Sequence, residues 1–67
     1  MQPYLAICGK QKIARDFTAK DDEDALRVAS IFFSEVVRIA KPFGGIIFDD
    51  EKNPLHPDHP VFAKDHS

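Results

Sequence analysis

The sequence predicts an α+β fold in the order β-β-α-β, with one long amphipathic helix packed on a small, mostly antiparallel sheet and room for a short fourth edge strand. Three features carry that expectation. Two short apolar runs flank the turn signal Gly9-Lys10-Gln11, a stretch of helical periodicity runs from Asp21 to Ala40, and a third apolar run follows a Gly-Gly pair.

The first strand covers about residues 3–8 and the second about 12–19. On a period of two, Leu5 and Ile7 share one face, and Ile13, Phe17 and Ala19 share one face of the second strand. Arg15 falls on that apolar face and breaks the alternation. A bulge, or an edge position where the guanidinium reaches water, accounts for it.

Asp21 is a good N-cap, and Asp22, Glu23 and Asp24 place acids where the helix dipole favours them. Lys41-Pro42 ends the predicted helix, because the residue before a proline disfavours the helical region. Ala25, Leu26, Val28, Ala29, Phe32, Phe33, Val36, Val37, Ile39 and Ala40 then fall within about half the circumference, a wider stripe than one sheet requires. Ile31 lies outside it, beside Arg27, Glu35 and Arg38. The flank around Val28 and Ile31 is therefore expected to meet either the chain's own tail, through Val61 and Phe62, or another chain.

Phe43-Gly44-Gly45 turns the chain into a strand at Ile46-Ile47-Phe48, and Asp49 to Pro54 reads as a turn toward Leu55. Residues 1–55 form one compact domain, and 56–67 a Pro- and His-rich tail. With 67 residues the core is small, since such a chain buries only about 60% of its unfolded surface. Cys8 is the single cysteine, so no intrachain disulfide and no Cys-rich zinc site can staple it. No stretch reaches the length of a membrane span and no export signal is evident, so a cytoplasmic location is expected.

Eleven acids and nine bases leave a charge of −2, too small to argue for nucleic-acid or membrane attraction. In a β-β-α-β chain the helix start and the end of the last strand share one pole. Asp21, Asp22, Glu23, Asp24, Asp49, Asp50 and Glu51 would gather there, with Lys10, Lys12, Arg38 and Lys41 at the other pole. The acidic pole is the expected docking surface, for a protein partner with a basic or nucleic-acid-binding surface.

Catalytic motifs are lacking: there is no G-x-S-x-G elbow and no phosphate loop, and the histidines cluster near the end of the chain. Neither an enzyme nor a cofactor is expected. His56, Asp58 and His59 have metal-binding donors, but Pro57 and Pro60 hold them apart, so no metal site is expected. Tyr4, Ala6, Cys8, Lys12, Ala14, Asp16 and Thr18 would line the open sheet face, a poor platform for stacking bases, which disfavours direct nucleic-acid binding. The reading is a protein-interaction module or small inhibitor, with nucleic-acid mimicry through the acidic pole as one form it takes. The alternative is a homo-oligomer joined through the open sheet face, through Ile31, or by edge-to-edge pairing of the second strands.

Overall fold

The computed structural model describes residues 1–62 and contains one four-stranded sheet with a helix packed against it. The strands are β1 (Gln2–Cys8), β2 (Ile13–Ala19), β3 (Val36–Ala40) and β4 (Ile46–Asp49), and the helix α1 (Asp22–Phe32) connects β2 to β3. Sheet order is β2-β1-β3-β4 and every pairing is antiparallel. The fold is α+β, as the periodicities require, with the element order β-β-α-β-β.

The β1–β2 hairpin keeps an unbroken register from Gln2↔Ala19 to Cys8↔Ile13. At the other end of β2, Asp21 caps α1, its Oδ1 accepting the Asp24 N–H at 2.8 Å.

The predicted helix from Asp21 to Ala40 is too long. It stops at Phe32; Phe33 is already extended, and Glu35 takes the left-handed conformation at φ 54°. Two forces end it. Val36, Val37 and Ile39 are β-branched and favour an extended chain, and the free edge of β1 offers a complete set of ladder partners. The apolar spacing at 36, 37, 39 and 40 suits a helix face in isolation, but tertiary pairing decides the outcome. The Glu35 carbonyl accepts the Gly9 N–H at 2.8 Å, which seats this reversal against the hairpin turn.

Pro42 therefore follows a strand, not a helix. Gly44 and Gly45, at φ 103° and 108°, carry the chain through the β3–β4 turn, closed by Lys41 N–H to the Gly45 carbonyl at 2.9 Å. The strand expected at 46–48 is β4. Near Leu55 there is a single bridge to Val36, with the Leu55 N–H on the Val36 carbonyl at 2.7 Å, and no fourth edge strand beyond β4 among the described residues.

Tyr4, Ala6, Ala19, Ala25, Ala29, Val36, Ile39, Phe48 and Leu55 form the core. The sheet faces are thus the reverse of those expected for β1: Tyr4 and Ala6 lie under the helix, and Leu5 and Ile7 are half-buried on the other face. The short side chains of Ala25 and Ala29, both fully buried, leave room beneath α1 for the larger Tyr4 ring. Cross-strand pairing places Arg15 and Phe17 of β2 on the helix side, opposite Ala6 and Tyr4. After a 3₁₀ turn, Pro60–Phe62, Val61 and Phe62 pack against the core, and Phe62 and Leu26 share a cleft on the flank of α1. His66 and the remainder of the expected tail lie outside the described residues.

Candidate functional site

The expected acidic pole does not form as one surface. With β3 inserted, the chain reverses direction once more before β4. Asp21, Asp22, Glu23 and Asp24 stand at the end of the sheet where β2 finishes, while Asp49, Asp50 and Glu51 stand at the opposite end beside the β1–β2 turn. Each end is mixed in charge. Asp22 meets Lys41 Nζ at 3.1 Å and accepts from the Tyr4 hydroxyl at 2.9 Å. Glu51 meets Lys12 at 3.1 Å, and Asp49 lies 3.6 Å from Arg38 Nε.

Several of these acids also serve local structure. Asp24 accepts the Lys20 N–H at 3.0 Å and Asp50 the Asn53 N–H at 3.0 Å. Hydrogen bonds from Lys41 and Tyr4 hold the Asp22 carboxyl below its ordinary pKa, and the Asn53 amide does the same for Asp50. Reciprocally, burial and then Asp22 push the Tyr4 phenol up to about 12.

The flank at Val28 and Ile31 divides. Val28 packs against the core, whereas Ile31 is 63% exposed and lines a shallow cavity of about 230 Å³ with Arg27, Ser30, Pro57 and Phe62.

His56 and His59 are engaged by backbone groups. His59 is buried; its Nδ1 accepts the Val61 N–H at 3.1 Å, so the ring proton sits on Nε2, 3.1 Å from the Asn53 carbonyl oxygen. His56 Nδ1 accepts the Asp58 N–H at 3.1 Å. His56, Asp58 and His59 form no converging donor set, and among the described residues no group of three His, Cys, Asp or Glu side chains does.

A cleft of about 460 Å³ beside the hairpin turn is lined by Lys10, Lys12 and Lys52 but also by Glu35 and Glu51, so its charges nearly cancel. Among the described residues no helix is long and apolar enough to cross a membrane.

What remains distinctive is the β2 edge. As an outer strand, β2 turns the backbone N–H and C=O groups of alternate residues away from the sheet. Protein edges are ordinarily guarded by proline, charged side chains (lysine above all), inward-pointing charges, a bulge or short length. Here Ile13–Ala19 is seven residues long, contains neither proline nor lysine, and pairs with β1 without a bulge, although both other pairings have one. Its only charges, Arg15 and Asp16, cancel. Beside it, Cys8, Arg15, Phe32, Phe33 and Ser34 line a groove of about 430 Å³, with Phe32 74% exposed. Burial raises the Cys8 thiol pKa, an effect Arg15 partly offsets. Phe17 is half-buried, stacked on Tyr4 at 5.6 Å and edge-on to Phe33 at 5.7 Å.

Nothing in the residue pattern marks Phe32 as exposed, because a helix running to Ala40 absorbs it into its apolar stripe, and Phe17 reads only as part of an apolar strand face. The misplaced Arg15 was the available signal for the edge. No protein-family model matches the chain, and no curated protein or solved structure matches it either.

Proposed function

We propose that this chain is a protein-interaction module that recruits a partner by strand addition to β2. The supporting observation is the edge itself: seven residues, without a bulge, proline or lysine, and guarded only by the mutually cancelling pair Arg15 and Asp16, beside an exposed aromatic groove. Main-chain hydrogen bonds along such an edge supply affinity, and the flanking side chains supply selection. Phe32 and Arg15 give this edge an apolar and a cationic contact. Docking through one acidic pole loses its premise, because the two acidic clusters stand at opposite ends of the sheet and each has basic neighbours.

The test is a titration of isotope-labelled protein with a partner recovered from its native cells. Amides of residues 13–19 are expected to shift and to gain exchange protection. Ala14→Lys/Thr18→Lys, which places gatekeeper charges on two exposed positions of the strand, is expected to abolish binding while leaving the fold intact. Perturbation confined to Asp21–Asp24 or to Asp49–Glu51, with β2 unaffected, would refute the proposal.

A further inference from the structure

We infer that the strand added to β2 is β2 of a second copy of this chain, antiparallel and centred on Phe17; this rests on the β2-edge reading above. Antiparallel pairing of two identical edges places the two-fold axis perpendicular to the sheet. Both helices then lie on the same side of one continuous sheet. Because the faces are preserved, a residue on the helix side can only oppose a residue on the helix side, so one residue of β2 must face its own copy.

Three centres allow substantial overlap of β2 with itself, and charge discriminates among them. Centring on Arg15 sets guanidinium against guanidinium. Centring on Asp16 gives the longest overlap but sets carboxylate against carboxylate. Like charges directly opposite one another are destabilising.

Centring on Phe17 removes both directly opposed like-charge pairs; the two Asp16 carboxylates become diagonal neighbours instead, each flanked on its other diagonal by a Lys20 of the opposite copy. Arg15 then faces Ala19 of the second copy, and Asp16 faces Thr18. The next residues along the chain complete the match. Lys20 of the second copy becomes the diagonal neighbour of Asp16, and Asp21 that of Arg15, within reach of long side chains. Symmetry produces each contact twice. At the centre, the Tyr4–Phe17 stack continues across the axis into Phe17 and Tyr4 of the second copy. The groove containing the exposed Phe32 borders this same edge, through Arg15.

Sedimentation across protein concentration tests this on the full chain. The wild type is expected to self-associate. Lys20→Glu, which sets two like-charge diagonals against Asp16, should weaken association roughly 2- to 30-fold. Asp16→Lys/Lys20→Glu should restore it. Restoration is specific to the Phe17 centre, because an Asp16-centred pairing would merely oppose two lysines in that variant. As an independent readout, in a Cys8→Ser background, Phe17→Cys should form an interchain disulfide and Asp16→Cys should not.

A dimer indifferent to these charges, or cross-linked through Asp16→Cys and not Phe17→Cys, overturns the register. A monomer at every concentration overturns the second copy as partner. In that last case the broader reading stands or falls separately, according to whether Ala14→Lys/Thr18→Lys abolishes binding of the native-cell partner.

Discussion

Leu55→Ala is expected to remove a large share of this protein's stability, although the residue belongs to no strand or helix. Leu55 is 1% exposed and joins the core alongside Val36, Ile39 and Phe48. Truncation to alanine removes three carbons, about 2.4 kcal/mol at about 0.8 kcal/mol per buried methylene. The cavity left behind brings the expected loss to about 2–5 kcal/mol. At about 0.05–0.15 kcal/mol per residue, a chain of this size has roughly 3–10 kcal/mol in total. Urea unfolding followed by far-UV circular dichroism should show a lower midpoint with an unchanged slope, and thermal unfolding a fall of roughly 8 °C or more. Phe43→Ala is the control: at 92% exposure on the β3–β4 turn, its removal should change stability by less than about 0.5 kcal/mol. Measurements belong at one protein concentration, because self-association would add its own contribution. A Leu55→Ala loss below about 1 kcal/mol would refute the claim that this residue fastens the segment after β4 to β3.

Four further outcomes are expected. Glu35→Gly relieves a left-handed backbone and should raise stability by about 0.5–1 kcal/mol, read as a higher urea midpoint, even though glycine loses more entropy on folding. Asp22 and Asp50 have depressed pKa values, so their stabilisation is present above the ordinary carboxylate pKa of about 3.9 and is lost as pH falls below it; Asp22→Asn should flatten part of the acid limb of a stability–pH curve. Tyr4 is the only tyrosine, so phenolate absorbance reports it alone. Its midpoint should move from about 12 in the folded protein to about 10 in urea, and the associated stability, present below pH 10, should disappear as pH rises toward 12, a loss that Tyr4→Phe removes. The Cys8 thiol, raised by burial, should react with a disulfide reagent more slowly in the folded protein than in urea.

The parts of the fold legible in the sequence are those set by local chemistry. The Gly9-Lys10-Gln11 turn, the Asp21 cap with its acidic first turn, and the Gly44-Gly45 reversal all lie where residue types dictate them. The β3 strand was not legible, because Val36-Val37-Arg38-Ile39-Ala40 fits a helical stripe as well as a strand and only the waiting edge of β1 decides between them. That single ambiguity propagated. One unseen strand reverses the direction of everything after it, so the acids at 49–51 moved to the other end of the sheet and a single acidic pole became two mixed ones. On the sheet faces the difficulty was different. Tyr4-Leu5-Ala6-Ile7-Cys8 is apolar at every position, so alternation could not say which face the helix would cover. The β2 edge, by contrast, left a trace in Arg15, a charge standing among apolar neighbours where only a strand open to solvent would accommodate it.

The position of β1 in the sheet has a consequence for how the chain is made. It is the first strand to be synthesised and an inner strand of the finished sheet, yet its second neighbour arrives late, with Leu5 pairing to Ala40 across the hairpin and the whole helix. During synthesis the β1–β2 hairpin and α1 can form from local contacts, while the inner edge of β1 stays unpaired until residues 36–40 emerge. Over that interval the nascent chain carries two open edges, the outer edge of β2, which no strand of the same chain covers, and the inner edge of β1, which β3 later fills. Folding intermediates with unpaired strand edges are prone to exchange segments with neighbouring chains. On a crowded polysome, the speed with which Val36–Ala40 docks therefore decides whether β1 receives its own third strand or that of another molecule.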